Sequence, residues 1–374
     1  MSLQVSGERF TATYLLDCAA HEARERALDI CYEQTVEFPS DLTPDDIKEK
    51  IVGQILELDE INPHTHRAVI SFPIEAAGDE STQLLNVLFG NISIKPGIKL
   101  ERIELPPSLL SLYKGPRFGR QGLRAALGIL SRPMLCTALK PMGYSTQQLA
   151  DLCYQFALGG IDIIKDDHGL ANQVLSPFEE RVRACAEAAQ KANAETGYKS
   201  IYMPNISAPY DELLERAYIA KKLGAGGLLI APGLVGFDSM RRIANDDSIA
   251  LPIMSHPALL GSFTTTFKNG ISHYALYGQI TRLAGADATI FPNWGGRFAF
   301  SKEECISIVS GTQVEMGNIK PIFPTPGGGM TMERVPEMLE VFGRDVIFLM
   351  GGGLHRGKDL ISSSATFREI VEKI

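Results

Sequence analysis

The sequence predicts an α/β protein with an N-terminal α+β domain and a C-terminal (β/α)₈ barrel. From about Pro133 onward, short apolar runs rich in β-branched residues alternate with amphipathic helical stretches, which is typical of parallel βαβ units. The residues before that point mix strand-like and helix-like patterns without this alternation, which indicates an α+β domain. A chain of 374 residues is also too long for one ordinary domain.

The N-terminal part contains five segments with a clear pattern. We predict a strand, two helices and two further strands, in the order Phe10–Leu16, His21–Cys31, Asp45–Leu58, Arg67–Pro73 and Leu85–Leu88. The proline-containing segment Leu105–Pro116 is expected to connect the two domains. We therefore assign residues 1–115 to the first domain and residues 116–374 to the second.

Eight apolar runs in the second domain are candidate barrel strands. They are Met134–Leu139, Ile161–Ile164, Ser200–Met203, Gly226–Ile230, Leu251–Met254, Ala288–Phe291, Lys320–Phe323 and Val346–Met350. Helical stretches lie between them, for example Gln147–Leu158, Glu179–Ala194 and Tyr210–Leu223. Eight such units fit the usual ~250 residues of a closed barrel. An open doubly wound sheet uses the same units and is the alternative on this pattern alone.

The composition argues against several classes of function. The net charge of −8 disfavours a nucleic-acid partner, because phosphate backbones are bound through clustered lysine and arginine. No apolar run approaches the ~20 residues of a membrane span. The first residues lack the basic start and apolar region of a secretory peptide, and the six cysteines show no CxxC spacing. We therefore expect a cytoplasmic protein with buried thiols that binds a small molecule.

Polar residues and glycines follow almost every candidate strand. If the runs form one barrel, all of these residues lie at its carboxyl-terminal rim, where the active sites of such barrels are found. In chain order they are Lys140, Lys165–His168, Asn205, His256, Asn293–Arg297, Gly327–Gly329 and Gly351–Gly353.

Lys165 and Asp167 follow the second run and are two residues apart. Side chains alternate along a strand, so both should point to the same side, towards the barrel mouth. A lysine there is useful as an uncharged amine, or as the carbamate that forms with CO₂. Carbamate and carboxylate oxygens together would suit Mg²⁺. The alternative is a solvated cluster of charged residues at the end of a strand, which would have the same sequence.

The glycine triples suggest a phosphate site, because exposed backbone N–H groups bind anions and barrels often hold phosphate after strands seven and eight. Tight turns would also explain each triple taken singly.

His256 and Lys140 are candidate acid–base groups, although a structural histidine or an exposed lysine is the simpler explanation of either one. Arg297 ends a glycine-rich loop that could close over a ligand, or could be a surface turn.

Taken together, these residues resemble the RuBisCO superfamily, and the similarity spans nearly the whole chain. The strongest matches are Gly159–Asp167, Gly115–Gly119, Pro252–Pro257, Gly285–Asp287, Gly90-Asn91 and the two glycine triples. The resemblance implies a ferredoxin-like α+β domain followed by a TIM barrel, and a homodimer or higher homo-oligomer with shared sites.

The resemblance also implies a role for each matching residue. Lys140 matches a catalytic lysine, His256 the active-site histidine and Arg297 the position of the flexible-loop lysine. Lys165 matches the carbamylated lysine, Asp167 a Mg²⁺ ligand and His168 the third ligand. Backbone phosphate binding is implied for Gly328, Gly329, Gly351 and Gly352. Glu33 and Asn91 match first-domain residues that reach the site of a partner subunit.

The departures from the family pattern favour a RuBisCO-like protein that does not fix CO₂. His168 replaces a glutamate ligand and makes the metal less certain to be Mg²⁺. Pro257 and the apolar residues at Ile290-Phe291 replace groups that grip a second phosphate, and the family's long C-terminal extension is not seen. We expect an isomerase of 5-methylthioribulose 1-phosphate in methionine salvage. The alternatives are a 2,3-diketo-5-methylthiopentyl-1-phosphate enolase, a decarboxylase or transcarboxylase of a branched keto-acid phosphate, and a non-catalytic binding relative. The enolase ranks second because that enzyme carries a lysine at the position of Asn91.

Overall fold

The computed structural model describes residues 3–298 and 300–373, which form two compact units. The first unit contains the residues up to Tyr113 together with Leu260–Gln279 and Glu315–Ile319. The second contains Lys114–Leu259, Ile280–Val314 and the residues from Lys320 onward. Two segments from the later part of the chain therefore belong to the N-terminal unit, which a division by sequence position alone does not anticipate.

Strands and helices alternate along most of the described chain. The strands are β1 Arg9–Asp17, β2 Gln54–Asn62, β3 Thr65–Pro73, β4 Ile98–Glu104, β5 Met134–Leu139, β6 Ile163–Asp166, β7 Ile201–Met203, β8 Leu228–Ile230, β9 Ile253–Ser255, β10 Gly270–Ile271, β11 Ala288–Pro292, β12 Phe323–Gly327 and β13 Ile347–Leu349. The helices are α1 Ala23–Glu33, α2 Asp45–Lys50, α3 Ile74–Ala77, α4 Ser81–Phe89, α5 Pro107–Leu110, α6 Gly119–Leu127, α7 Thr146–Leu158, α8 Phe178–Thr196, α9 Tyr210–Lys222, α10 Pro232–Val235, α11 Phe237–Ala244, α12 Gly261–Thr264, α13 Thr281–Leu283, α14 Lys302–Gln313, α15 Val335–Phe342 and α16 Leu360–Glu372. No described helix has the length and apolar character needed to cross a membrane.

The first unit is built on a sheet in the order β10-β4-β1-β3-β2. Its antiparallel β4-β1-β3-β2 core, with α1 and α4 in the two crossovers, has the ferredoxin-like arrangement that the sequence predicts. Alternate residues of β1 are buried, from Phe10 to Leu16, because one face of the sheet packs against the helices. The fold class of this part is confirmed.

Two predictions in the first unit are wrong. The second helix was expected over Asp45–Leu58, but it ends at Lys50, and the chain continues as edge strand β2. A Cβ on Gly53 would lie 2.9 Å from the Cα of Cys31, so only glycine lets the chain turn this close to α1. Leu85–Leu88 was expected to be a strand but lies in α4. Leu84, Val87 and Leu88 are buried there at helical spacing.

The second unit is a parallel barrel. Its described strands form an eight-stranded sheet in the order β7-β6-β5-β13-β12-β11-β9-β8. The two end strands meet where Ile206 N–H donates to Leu229 at 3.0 Å and Leu229 N–H donates to Pro204 at 2.9 Å. The predicted barrel is confirmed. The seventh strand lies at Phe323–Gly327 instead of Lys320–Phe323, because Phe323 is the residue that enters the barrel core.

The buried carboxylate of Asp287 connects three of the segments that resemble RuBisCO. Its Oδ1 accepts hydrogen bonds from the backbone N–H groups of Phe118 at 2.8 Å and Gly119 at 2.7 Å, and its Oδ2 accepts one from Ile253 at 2.9 Å. These bonds join the start of α6 to β9 and to the segment before β11. The three motifs are thus parts of one buried hydrogen-bond arrangement that stabilises the barrel.

Candidate active site

The end of β6 directs neighbouring side chains in opposite directions. Lys165 is 2% exposed, and its Nζ donates to the backbone carbonyl of Asp166 at 3.0 Å. Burial lowers the pKa of Lys165, with nearby Lys140 acting in the same direction against the charges of Cys136, Asp167 and Asp166. An amine with a lowered pKa is more often uncharged, and the uncharged form is the one that reacts with CO₂.

Asp166 points away from the mouth into a fully buried polar network. Its carboxylate accepts hydrogen bonds from Arg181 Nε at 3.1 Å, from the Tyr202 hydroxyl at 2.7 Å and from the backbone N–H of Asn205 at 3.0 Å. Arg181 also donates to the carbonyls of Ser176 and Ala171, both at 2.6 Å. The network therefore joins β6, β7 and α8 directly behind Lys165 and Asp167.

The Asn205 side chain fixes the loop that follows β6. Its Nδ2 donates to the carbonyl of His168 at 3.1 Å and to that of Leu170 at 3.0 Å. The loop that carries Asp167 and His168 is thus attached to the end of β7, and its backbone is held where the two side chains reach the mouth.

The structure places Lys140, Asp167 and His168 close together. Lys140 Nζ lies 3.5 Å from Asp167 Oδ1, and His168 Nδ1 lies 3.6 Å from the same oxygen. Burial by itself would raise the pKa of Asp167. The hydrogen bond with His168 and the charges of Lys140 and Lys165 outweigh this effect and hold the pKa well below its usual range. Asp167 is therefore a carboxylate at neutral pH.

His256 lies against this group, after β9. Its ring stacks on that of His168, with centroids 4.4 Å apart and planes 14° from parallel. Its Nδ1 accepts a hydrogen bond from the backbone N–H of Ala258 at 3.1 Å. Burial, together with the charges of Lys165 and His168, lowers the pKa of His256 to about 2 against the opposing charge of Asp167. His256 is therefore neutral at physiological pH.

The four glycines that were assigned to phosphate binding follow β12 and β13. Gly328 and Gly329 have φ values of +78° and +85°, which other residues rarely adopt. A Cβ on Gly329 would lie 2.6 Å from the Cα of Gly296, so two loop backbones approach each other closely there. A Cβ on Gly351 would lie 3.5 Å from Lys140 Nζ, whereas the space beside Gly352 is open. The side-chain nitrogen of Lys140 is thus next to the second glycine segment.

The other predicted site residues lie apart from this cluster or are not shown to join it. Arg297 is exposed, and its guanidinium lies 4.9 Å from the centre of the neighbouring Phe298 ring. Ile290 faces the barrel core. Phe291 points the other way and packs on Phe342 of α15, so it cannot line the mouth as the apolar pattern had suggested.

Glu33 and Asn91 lie together in the first unit. Asn91 Nδ2 donates to Glu33 Oε1 at 3.0 Å, and Lys95 Nζ donates to Glu33 Oε2 at 2.7 Å. Lys95 also pairs with Asp29, at 2.7 Å. The hydrogen bonds from Lys95 and Asn91 lower the pKa of Glu33, so this cluster is held in its charged form.

A metal ion at this site would need Lys165 among its ligands. The described part of the chain contains no group of three histidine, cysteine, aspartate or glutamate residues that could hold a metal ion without a further ligand. Asp167 and His168 supply one carboxylate and one imidazole, and Mg²⁺ prefers oxygen ligands. A carbamate on the buried amine of Lys165 would add those oxygens on the same side of β6. The residues thus fit a divalent cation if Lys165 is carbamylated.

Several residues with a clear role in this geometry were missed by sequence reasoning. No motif or spacing in the sequence distinguishes Arg181, Tyr202 or Lys95 from other residues of their types. His355 follows the glycines after β13, and its pKa is lowered by burial and by the charge of Lys140. Its position two residues after the triple Gly351–Gly353 is a signal that could have found it.

Comparison with known proteins agrees with this architecture. The family model for the ribulose bisphosphate carboxylase large chain, catalytic domain, matches residues 119–366. The 5-methylthioribulose-1-phosphate isomerase of Rhodospirillum rubrum is 37% identical over 96% of this chain and 95% of its own. The 2,3-diketo-5-methylthiopentyl-1-phosphate enolase of Bacillus licheniformis is 32% identical over 97% of this chain and 91% of its own.

Solved structures are similar over almost the full length. The RuBisCO-like protein from Rhodopseudomonas palustris superposes with a TM-score of 0.89 at 38% identity, covering 98% of both chains. A dimeric archaeal RuBisCO from Hyperthermus butylicus gives a TM-score of 0.88 at 26% identity, over 99% of this chain and 91% of that one.

The buried network around Asp166 leads to a stability prediction. Arg181→Met leaves a buried carboxylate without its cation and should lower the free energy of unfolding by about 3–5 kcal/mol. Tyr202→Phe removes one of three hydrogen bonds and should cost about 1–2 kcal/mol. Arg183→Met, on the same helix but in an exposed pair with Glu179, is the control and should cost less than about 0.5 kcal/mol. Urea unfolding followed by circular dichroism measures all three, and equal effects of the two arginine substitutions would contradict the network's role.

Proposed function

Because the chain belongs to the ribulose bisphosphate carboxylase large-chain family, we propose that it enolises and isomerises a phosphorylated ketose without fixing CO₂. The most favoured substrate is 5-methylthioribulose 1-phosphate, an intermediate of methionine salvage. The observation that carries the proposal is the cluster of Lys140, Asp167, His168 and His256 beside the glycines after β13. It combines groups that can move or bind protons with a backbone suited to an anion.

The phosphate is proposed to bind at Gly328, Gly329, Gly351 and Gly352. Backbone N–H groups donate charge-assisted hydrogen bonds to phosphate oxygens, and glycine lets the anion approach closely. Lys140 Nζ adjoins Gly351, so the amine lies within reach of a ligand that is anchored at these glycines. A sugar phosphate that is anchored there would extend from the glycines towards Asp167 and His256.

The far end of the substrate is proposed to be apolar. By the family resemblance, Pro257 replaces a cationic group that would hold a second phosphate. Ile290, which replaces another such group, faces the barrel core. Burying a methylthio group there would contribute about 1–2 kcal/mol by the area rule, whereas a second phosphate without a cation would be costly. Arg297 in place of a lysine on the loop after β11 further disfavours CO₂ fixation, because a planar guanidinium and an ammonium are not interchangeable.

The chemistry is a proton transfer between carbon atoms next to the keto group. Lys140 is proposed to take the proton, as its free amine, from the hydroxyl-bearing carbon beside the keto group, which gives an enediolate. It then returns the proton to the former keto carbon, while the hydroxyl proton passes from one enediolate oxygen to the other. Asp167 Oδ1 at 3.5 Å from the amine would hold the ammonium that forms. Carbamylated Lys165, Asp167 and His168 would hold a divalent cation, most simply Mg²⁺. When it is bound, the cation supplies positive charge that stabilises the enediolate oxygen.

The active unit is proposed to be a homodimer or a higher homo-oligomer. Large apolar side chains are exposed in the segments that follow the barrel strands, namely Met142, Tyr144, Val174, Leu175, Tyr210, Leu234, Leu259 and Phe298. Apolar patches of this kind mark interaction surfaces. A second copy would cover this rim and bring Glu33 and Asn91, together with Lys95, to the site.

A second candidate is the enolase reaction on 2,3-diketo-5-methylthiopentyl 1-phosphate. The relative of that name is 32% identical. Lys95, bonded to Glu33 beside Asn91, also places an amine near the position where that enzyme carries a lysine. Its ammonium is paired with Asp29 and Glu33, and the hydrogen bonds with these carboxylates raise the pKa of Lys95 against the lowering effect of burial. A charged amine is a poor base, so isomerisation ranks first.

The substrate proposal is tested by comparing two ketoses in D₂O. With 5-methylthioribulose 1-phosphate, ¹H NMR should show deuterium uptake and a rearranged product, while ribulose 1,5-bisphosphate should show at least tenfold less of either. Lys140→Ala should slow deuterium uptake by about 100-fold or more, since it removes the base. Lys191→Ala, which removes an exposed lysine far along α8, is the matched control. Faster turnover of the bisphosphate, or ¹⁴CO₂ incorporation into it, would contradict the proposal.

The metal proposal is tested by removing CO₂ and the cation separately. The wild-type protein should lose activity in EDTA and in CO₂-free buffer, and should regain it when Mg²⁺ and bicarbonate are restored. Lys165→Ala should be inactive and should bind Mn²⁺ at least tenfold more weakly by electron paramagnetic resonance, while its circular dichroism is unchanged. Full activity without CO₂ and metal would instead leave charge stabilisation to Lys140 and His256.

Shared sites are tested by complementation between subunits. Asn91→Ala and Lys165→Ala should each be inactive as homo-oligomers. Mixed and allowed to exchange, they should recover up to about a quarter of the wild-type activity, because a hybrid dimer has one site with neither substitution. Mass spectrometry of differently labelled subunits monitors the exchange. Complete exchange without recovery would show that the sites are not shared.

A further inference from the structure

The only tryptophan of the chain lies in the glycine-rich loop after β11. Trp294 is half-buried, and its ring packs on Phe342 of α15 with the two ring centroids 5.2 Å apart. Its Nε1 donates a hydrogen bond to Glu337 Oε1, on the same helix, at 3.3 Å. This side chain therefore joins the loop to α15 through both an apolar and a polar contact.

Arg334, at the start of α15, holds the backbone of the same loop. Its Nη1 donates to the carbonyl oxygen of Trp294 at 3.0 Å, and its guanidinium lies 5.3 Å from the centre of the Trp294 ring. Its Nε donates to Glu337 Oε2 at 3.4 Å. A Cβ on Gly295 would lie 3.3 Å from Arg334 Nη1, so the guanidinium also lies beside the next residue of the loop.

The anchored loop lies directly against the glycines after β12. The backbone N–H of Asn293 donates to the carbonyl of Gly327 at 2.8 Å, at the base of the two loops. A Cβ on Gly296 would overlap the carbonyl oxygen of Gly328, and one on Gly329 would lie 2.6 Å from the Cα of Gly296. The two backbones therefore pack on each other without side chains between them.

We propose that Trp294 and Arg334 are positioning residues that fix this loop on α15, so that the loop holds Gly328 and Gly329 in the backbone conformation that binds phosphate. The inference rests on the proposed function, which assigns phosphate binding to these glycines. Glycine has many backbone conformations of similar energy. A glycine segment that must direct its N–H groups to one anion therefore gains affinity when a neighbouring backbone excludes the other conformations.

The contacts distinguish this role from that of a mobile cover. The sequence left open whether the glycine-rich loop closes over a ligand. A loop that opens and closes would have to break the contacts of Trp294 with Phe342, Glu337 and Arg334 in each turnover. The first part of the loop is accordingly a fixed wall of the glycine segment, whereas Arg297, further along the loop, is exposed.

The anchor is tested without a ligand by the fluorescence of Trp294. Arg334→Met should raise the acrylamide quenching constant about twofold or more, because the released loop exposes the ring more often. Lys302→Met is the matched control, since it removes a positive charge 5.8 Å from the centre of the same ring but lies on α14. It should leave the quenching constant close to that of the wild type. Equal quenching of the wild type and Arg334→Met would overturn the inference.

The positioning role is tested by calorimetric titration of the full chain with inorganic phosphate. Arg334→Met and Trp294→Ala should each bind phosphate about fivefold or more weakly than the wild type, because the glycine segment is no longer held. Trp294→Phe keeps an aromatic ring for Phe342 and should bind within about twofold of the wild type. Lys302→Met should also stay within about twofold, because an exposed charge outside the anchor contributes little. Equal weakening by Lys302→Met and Arg334→Met would show a general effect of charge and would contradict the positioning role.

The outcomes separate this inference from the proposed function. Unchanged phosphate affinity in both Arg334→Met and Trp294→Ala would overturn the inference and leave the phosphate site in place. Absence of phosphate binding by the wild-type protein would refute the phosphate site and the positioning role together, while the quenching result would still decide whether the loop is anchored. A shift of the Trp294 emission maximum when phosphate saturates the wild type would show a mobile cover and would also overturn the inference. Circular dichroism checks that each variant is folded.

Discussion

The buried ion pair between Asp166 and Arg181 is the constraint on which the candidate site depends. Both side chains are fully buried, and the pair is completed by the Tyr202 hydroxyl and the Asn205 backbone. An ion pair of this kind stabilises a fold only when every polar group in it is satisfied. Because Asp166 is fixed from behind, its neighbours Lys165 and Asp167 have no freedom to turn away from the barrel mouth.

In this arrangement, two neighbouring aspartates at the end of β6 have different roles. Asp166 and Asp167 are adjacent in the chain, yet one is enclosed by hydrogen bonds within the protein and the other is offered to a ligand. The alternation of side chains along β6 accounts for the difference. Asp162 and Asp287 have structural positions too, since Asp162 accepts a bidentate pair from Arg132 at 2.7 Å and Asp287 accepts three backbone N–H groups.

The mouth itself brings the nitrogen atoms of two lysines and a histidine close to the carboxylate of Asp167. Lys140 and His168 both contact Asp167, while Lys165 is buried close by. The overall negative charge of the chain is compatible with the anionic ligand that we propose, because electrostatic effects at the site are local. His168 makes two contacts: Nδ1 at one edge of its ring is directed towards Asp167, and one face of the ring stacks on His256. A glutamate carboxylate here would repel that of Asp167 and could not stack on the imidazole, so His168 links Asp167 to His256.

The sequence by itself determined the order of the barrel units and the placement of the polar residues at one rim. Both follow from local rules, namely periodicity within a strand or helix and the common direction of parallel strands. The same rules failed at Leu85–Leu88 and at Asp45–Leu58, where a short apolar run suits either a helix or a strand and packing against the sheet decides. Only the tertiary structure decided that Arg181 and Tyr202 hold Asp166, that Lys95 joins Glu33 and Asn91, and that the Ala258 N–H bonds to His256 Nδ1. The first two are contacts between residues far apart in the chain, and the third depends on the exact path of a loop, so no spacing in the sequence encodes them.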